Sequence, residues 1–159
     1  MNYKSFLAVA IFALILQGCA THKAAPRADV DRQKTYKIPF DKAWNISVDF
    51  FAENGINLDK IEKESGLLTA QNGSVGIGYY LNCGEAGGLG SGFENINSRL
   101  NVLVREVDEN TSKISVNLNA DAQVVRRNLY GHALERIAVR FESTGQLETD
   151  MHAFFQSKI

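Results

Sequence analysis

Five side chains in this 159-residue sequence could carry out thiol or imidazole chemistry: Cys19, Cys83, His22, His132 and His152. A reactive cysteine needs a neighbouring base or positive charge that favours its thiolate. The residues that flank Cys83 are uncharged or acidic (Asn82, Gly84 and Glu85), so its local sequence supplies neither. Three interpretations of Cys83 remain open: a buried inert thiol, a contact or intermolecular disulfide with a partner, and a catalytic thiol served by a distant histidine.

Patterns that would bind a metal or a nucleotide are absent from the sequence. It contains neither HExxH nor CxxC, so it predicts no zinc site. The glycine-rich segment Gly73–Gly92 does not continue into a dinucleotide-binding fingerprint. Four arginines could form a basic patch for lipid head groups or peptidoglycan, or could be ordinary solubilising charge: Arg126, Arg127, Arg136 and Arg140. We therefore expect no catalytic residues, no metal and no bound cofactor.

The N-terminal segment Met1–Cys19 has a short positive start at Lys4 and an uncharged apolar run over Phe6–Leu16. This run is shorter than the roughly 20 residues that a transmembrane helix needs, but it is typical of a signal-peptide core. It ends in Leu-Gln-Gly-Cys, which resembles the lipobox of bacterial lipoproteins. The resemblance implies cleavage between Gly18 and Cys19, a diacylglyceryl thioether on Cys19, and acylation of the new amino group by a fatty acid such as palmitate. The alternatives are an ordinary secretory signal with a chance cysteine, and a buried apolar helix.

Residue 20 and the charge of the processed chain bear on localisation and partners. Lipoproteins kept in the inner membrane of enterobacteria typically have Asp after the lipidated cysteine, whereas this chain has Ala20, so the resemblance favours the periplasmic face of the outer membrane. Removal of Met1–Gly18 removes one basic residue, Lys4, and makes the net charge of −1 at pH 7 one unit more negative. A nucleic-acid-binding domain would instead be basic. We expect attachment to the membrane by lipid, an envelope protein as partner, and no nucleic acid.

The chain divides into a signal peptide (1–18), the lipidated cysteine with a flexible tether (19–34), and a single globular domain (35–159). Within the domain, several segments alternate apolar and polar residues, which predicts strands with one solvated face. Two further segments have apolar residues at helical spacing. The sequence therefore predicts an α+β fold, in which an antiparallel sheet of about five or six strands packs against two helices in the order β-α-β-β-β-β-β-α.

The boundaries and buried faces of the two helices are also predicted. Asp41 fits the N-cap of the first helix, and Gly55 fits the position after its last turn. Ser143 and Gln146 fit a capping box before the second helix. The apolar face of this second helix is expected to pack on the sheet through Leu147, Met151, Phe154 and Phe155.

Four short motifs in the domain, IPFDKAW, ENGI, SGLLTA and STGQLE, resemble those of small periplasmic lipoproteins with BamC-like helix-grip domains. BamC is an accessory lipoprotein of the machine that assembles outer-membrane β-barrels. The resemblance implies a helix-grip-like fold and a non-enzymatic lipoprotein that binds or positions an envelope partner. Since helix-grip folds can hold apolar ligands between sheet and helix, a small apolar-ligand binder is the alternative. An envelope enzyme that uses Cys83 with His132 or His152 is a third hypothesis.

The connection Gly73–Asn97 is predicted to carry partner specificity. Eight of the thirteen glycines lie in Gly73–Gly92, so ordering this stretch has a high entropic cost. It nevertheless contains large apolar residues, which a purely solvated linker would lack. We predict a loop that orders on a partner through Tyr80, Cys83 and Phe93. The alternative is a floppy hairpin tip whose apolar residues cover the edge of the core.

Overall fold

The computed structural model describes residues 22–26, 28–71 and 78–159. Its regular elements are, in chain order, β1 (Gln33–Tyr36), α1 (Phe40–Glu53), β2 (Lys60–Glu62), β3 (Leu67–Gln71), β4 (Leu81–Asn82), β5 (Ser91–Asp108), β6 (Thr111–Arg127), β7 (Ala133–Ser143) and α2 (Gln146–Lys158). The predicted signal peptide, with Gly18 and the candidate lipidation residue Cys19, lies outside the described residues. Among the residues that are described, no helix is long and apolar enough to cross a membrane.

All seven strands form one antiparallel sheet in the order β2-β3-β5-β6-β7-β4, with β1 also paired to β6. Strands β1 and β7 lie one after the other along the same edge of β6. The first pairs with Ser112–Ser115 and the second with Asn119–Arg127. The other edge of β6 pairs with β5 along nearly its whole length. The β5–β6 hairpin is therefore the centre of the sheet.

This architecture confirms the predicted α+β class, with seven strands where five or six were expected. One strand not recognised in the sequence is β4, which has only two residues and pairs with Glu142 and Ser143 of β7. So short a strand has no alternation that a sequence pattern could reveal, and its partner is distant along the chain. The pairing places Leu81 in the core, where it is 1% exposed.

Both helices contribute side chains to the buried cluster that covers one face of the sheet. Successive strand residues point to opposite faces. The sheet contributes alternate residues to this cluster, among them Leu100, Val102, Val116 and Leu118. From α2, Leu147, Met151 and Phe155 are fully buried, and Phe154 is half-buried against the same cluster. Burial of each such side chain contributes roughly 1.5–3 kcal/mol relative to its exposed state, so α2 is a substantial part of the core.

Helix α1 begins one residue earlier than its predicted N-cap. Its first residue is Phe40, and the Pro39 carbonyl accepts a hydrogen bond from the Ala43 amide at 3.1 Å. Pro39 is the N-cap and has the extended backbone usual there, with φ −61° and ψ 156°. Asp41 therefore lies in the first turn, where its charge interacts favourably with the helix dipole, and does not cap the helix.

The predicted capping box of Ser143 and Gln146 is wrong. Ser143 is the last residue of β7, and α2 begins at Gln146 after Gly145. The Ser143 hydroxyl donates to the Glu148 carboxylate at 2.6 Å and accepts from the Gly145 amide at 3.0 Å. Because the last β7 residue is buried in the sheet, its hydroxyl serves the strand–helix junction instead of the helix N-terminus.

The central strands are longer than the helices that cover them. At about 3.3 Å per residue, the 18 residues of β5 span up to roughly 60 Å, whereas the 14 residues of α1 span about 21 Å. The main buried cluster follows β6 only from Ile114 to Ala122. Beyond it, the first half of β7 is exposed at every position from Ala133 to Ala138. One end of the sheet therefore projects past the helix layer.

Candidate functional site

The three predicted partner contacts are half-buried against the core. The Tyr80 ring meets Tyr79 edge-on at 4.8 Å, and burial, followed by the charge of Asp150, raises the pKa of Tyr80. The Phe93 ring meets Phe141 edge-on at 4.9 Å. Each of these aromatic side chains has its neighbours within the domain, and their contact with a partner stays a prediction.

The Cys83 thiol has no catalytic surroundings in the described part of the chain. Its sulfur donates a weak hydrogen bond to the Leu81 carbonyl at 3.8 Å, and burial raises the pKa of the thiol, which disfavours the thiolate. Neither of the two histidines considered as its base is hydrogen-bonded to it: His152 pairs with Tyr36, and His132 lies exposed in the β6–β7 turn. The geometry therefore lends no support to a cysteine–histidine pair.

The start of the described chain lies against the connection that precedes β5. Lys23 and Glu85 exchange two backbone hydrogen bonds, at 3.2 and 3.1 Å. The His22 ring donates from Nδ1 to the Glu85 carbonyl at 2.9 Å and meets the Phe93 ring edge-on at 6.1 Å. A side chain at Gly84 would clash with the Lys23 carbonyl, so the close approach requires glycine there. The glycine-rich connection is thus paired with the N-terminal segment at Glu85.

Further contacts continue along the segment that was predicted to be a tether. Val30 lies beside Gly145 at the start of α2. The Arg32 carbonyl accepts from the Val116 amide at 2.8 Å, and its guanidinium reaches Glu142 at 3.5 Å. Arg32 therefore lies at the junction where β1 and β7 meet along β6. The described part of the predicted 19–34 tether contacts the domain from His22 to Arg32.

The face of the sheet opposite the helices carries polar side chains, many of them in ion pairs. Asp121 lies between Arg99 at 3.6 Å and Arg140 at 3.1 Å. Glu94 pairs with both Arg127 and Arg136. We call this surface the open face and define it by the outward residues of β5, β6 and β7: Glu94, Arg99, Asn101, Asn117, Asn119, Asp121, Arg136 and Arg140.

Ion pairs also involve the four arginines that were considered as a basic patch. The remaining one, Arg126, pairs with Glu135 at 3.4 Å. Each of the four therefore faces a carboxylate, although Glu94 serves two of them and Asp121 also pairs with Arg99, so that five arginines share three carboxylates. The described structure thus favours ion-paired, solubilising arginines over a patch of free cations for anionic head groups.

A shallow recess of about 200 Å³ lies on the open face where β1 begins and β7 ends. It is lined by Arg32, Asn117, Leu118, Asn119, Arg140 and Glu142. Amide and charged groups of both signs surround it, so it can exchange hydrogen bonds with a polar partner segment. It offers little apolar surface for a fatty ligand.

A second polar cluster is buried under α2. The Tyr36 hydroxyl and His152 Nδ1 are 2.7 Å apart. Burial, followed by the charge of Asp31, raises the pKa of Tyr36 to about 12, whereas burial, followed by the charge of Lys34, lowers the pKa of His152. A neutral histidine bonded to a tyrosine of high pKa does not generate a nucleophile, so this cluster is best understood as part of the packing.

No group of three or more His, Cys, Asp and Glu side chains that could hold a metal ion occurs within residues 22–26, 28–71 and 78–159. Comparison of the chain with protein-family models, with curated proteins and with solved structures finds no match. The resemblance to lipobox-bearing and BamC-like proteins therefore stays a prediction from the sequence.

Proposed function

We propose that this chain is a lipid-anchored periplasmic protein of the outer membrane, which binds or positions an envelope protein and catalyses no reaction. The lipobox-like residues Leu16–Cys19 support the anchor. The raised pKa of Cys83 supports the non-enzymatic part of the proposal, as does the lack of a hydrogen bond from its thiol to a histidine in the described residues. The proposal includes no cofactor, and the covalent lipid on Cys19 is its only bound group.

The observation that carries the binding role is the contrast between the two faces of the sheet. The helices cover one face with a buried apolar cluster, and the other face presents amides and ion pairs to solvent. Polar groups already held in position by ion pairs lose little freedom when a partner binds them. The open face is therefore the surface on which we place the envelope partner.

The alternative, a small apolar-ligand binder, would need space between the sheet and the helices. At this interface Phe50, Phe51, Leu100, Leu118 and Phe155 are all at most 2% exposed and belong to one cluster. Their packing favours a partner on the surface over a ligand in the interior. Failure of the purified protein to take up a fluorescent fatty acid would support this choice, whereas saturable uptake at one site per chain would favour the alternative.

Site-specific photocrosslinking in intact cells tests the partner surface directly. A crosslinking amino acid replaces Asn117 on the open face or, as a matched control, Asn45 on the exposed side of α1. We expect a discrete adduct with an envelope protein from position 117, which the charge reversal Arg140→Glu weakens. Equal adducts from both positions, or an adduct from position 45 alone, would contradict the placement.

A further inference from the structure

Four large apolar side chains are exposed at the end of the sheet that projects past the helices. Leu89 lies in the β4–β5 connection, Leu129 and Tyr130 lie in the β6–β7 turn, and Leu134 lies near the start of β7. Leu89 and Leu129 are 102% exposed, Tyr130 is 86% exposed and Leu134 is 60% exposed. We call these four residues the apolar tip.

The two loops of the apolar tip lie side by side. The Gly90 carbonyl accepts a hydrogen bond from the Arg127 amide at 2.9 Å, which ties the residue after Leu89 to the end of β6. A Cβ at Gly90 would lie 2.6 Å from the Arg127 carbonyl oxygen, so only glycine permits this approach. Leu89 is therefore held next to the turn that carries Leu129.

The β6–β7 turn is held in one conformation by Asn128. Its side-chain oxygen accepts hydrogen bonds from the backbone amides of Tyr130 and His132, both at 3.0 Å. The backbone amide of Asn128 donates to the His132 carbonyl at 3.0 Å. Turns of this kind usually present small polar residues, which cost nothing to expose. Leu129 and Tyr130 are instead presented to solvent by an ordered turn, and exposed apolar clusters of this kind mark interaction surfaces.

The charges near the apolar tip are already paired. Arg126 faces Glu135, while Arg127 and Arg136 face Glu94. A partner attracted by net charge would find little of it here. Leucine and tyrosine are the side chains that enter the boundary between lipid head groups and acyl chains, where the tyrosine hydroxyl stays hydrated.

The position of the N-terminal segment indicates which surface the apolar tip meets. Cys19 precedes His22 by three residues, a stretch of chain that can span at most about 11 Å. His22 packs on Phe93, the third residue of β5, and Leu89 lies in the turn just before β5. The described chain thus starts at the same end of β5 as the apolar tip, so a lipid on Cys19 and the tip can reach the same leaflet. The opposite end of the β5–β6 hairpin is far away and carries Glu106, Asp108 and Glu109.

We propose that the apolar tip is a second membrane contact, which inserts shallowly into the leaflet that holds the Cys19 lipid. The long β5–β6 hairpin then extends away from that leaflet. This inference rests on the proposed lipid anchor and adds an orientation to it. The open face then runs along the membrane normal and is accessible from the side. Because three arginines and two glutamates leave a net charge of only +1 here, insertion is driven by apolar burial and does not require anionic lipid.

Fluorescence from two single-cysteine labels tests this orientation. The full-length lipidated protein carries Cys83→Ser, together with either Tyr130→Cys in the apolar tip or Val107→Cys, an exposed apolar position at the opposite end of β5. Each variant is labelled with an environment-sensitive dye and reconstituted in phosphatidylcholine vesicles, with and without phosphatidylglycerol. We expect the dye at position 130 to have a blue-shifted emission and to be quenched by brominated lipids several-fold more strongly than the dye at position 107. High salt should change neither the emission nor the quenching.

The outcomes separate this proposal from the anchor on which it rests. If mass spectrometry finds the lipid on Cys19 but the dye at position 130 is as hydrated as the one at position 107, the orientation is wrong and the anchor stands. A dye at position 130 shielded from water but not reached by brominated lipids would mean that protein covers the apolar tip, which also overturns the proposal. If Cys19 carries no lipid, the proposed function fails and the orientation with it.

Discussion

Gly66 fixes how closely β3 can approach β5. Its carbonyl accepts a hydrogen bond from the Val104 amide at 2.8 Å, while its own φ of +67° lies in the left-handed region. A Cβ at this position would clash with the Val104 carbonyl. The neighbouring Phe40 side chain also lies close, so the backbone has little room to move aside.

We predict that Gly66→Ala lowers the free energy of unfolding by about 2–4 kcal/mol, since a left-handed conformation costs about 1–2 kcal/mol for a residue with a Cβ and the clash adds to it. Gly55→Ala is the matched control, because Gly55 has a φ of +63° but a Cβ there would have no other atom within 4 Å. It should lose only about 1 kcal/mol. Urea titration of both variants checks this, and equal losses would mean that the close approach to Val104 is unimportant.

His152 is buried beside groups of both signs. Tyr36 is its hydrogen-bond partner, Lys34 disfavours its protonated form, and Asp31 and Glu148 favour it. Burial is the largest effect and lowers the pKa of His152 below the ordinary value of about 6.5. The unfolded chain therefore binds this proton more readily than the folded chain does.

It follows that the contribution of His152 to stability is complete above about pH 6.5 and is lost as the pH falls toward the folded-state pKa. We predict that His152→Gln makes the free energy of unfolding less dependent on pH in this window. The exposed His132, changed to Gln, serves as the control and should leave the wild-type dependence intact. A wild-type stability that stays constant from pH 7 down to the acidic range would contradict the prediction.

The two helices were predictable as elements because their apolar residues recur at helical spacing over three turns or more. The strand β4 was not, since two residues have no period and the partner of Leu81 is Ser143. The capping prediction failed for a related reason. Ser143 has the right residue type for an N-cap, but pairing with β4 keeps it in the sheet, and such long-range pairing is invisible in a local pattern.

Helix α2 should be essential to the domain because it supplies fully buried residues from three successive turns, Leu147, Met151 and Phe155. We predict that deletion of Leu147–Ile159 abolishes cooperative unfolding and that Met151→Ala alone costs about 2–5 kcal/mol. Gln156→Ala, on the exposed side of the same helix, should change stability by less than about 0.5 kcal/mol. A truncated chain that melts as cooperatively and at as high a temperature as the wild type would rule out this role.

At the scale of the whole molecule, the sequence predicted a lipid-attached domain. It did not predict that the N-terminal segment packs against the β4–β5 connection. The glycines of the β4–β5 connection suggested freedom, whereas Gly84 and Gly90 permit close packing against Lys23 and Arg127. Tyr80, Cys83 and Phe93, the three predicted partner contacts, are half-buried against the core. The exposure of Leu129 and Tyr130 could not be read from the sequence, because it depends on where the turn projects from the sheet.

If the lipid is the anchor, its loss should release a folded protein. We predict that Cys19→Ser abolishes membrane retention of any chain from which the signal has been removed. The domain should keep its thermal transition, because its buried cluster is built from residues between Tyr36 and Phe155. Fractionation of cells with immunodetection measures retention. Recovery of the cleaved Cys19→Ser chain with membranes would mean that the protein, including the apolar tip, anchors itself without lipid.

The most direct test of the proposed function is the mass of the N-terminal peptide from protein extracted from outer membranes. The lipoprotein account predicts a chain that begins at Cys19 and carries a diacylglyceryl group on its sulfur and a fatty acid on its amino group. A chain that begins at any other residue, or a Cys19 with an unmodified thiol, would contradict it.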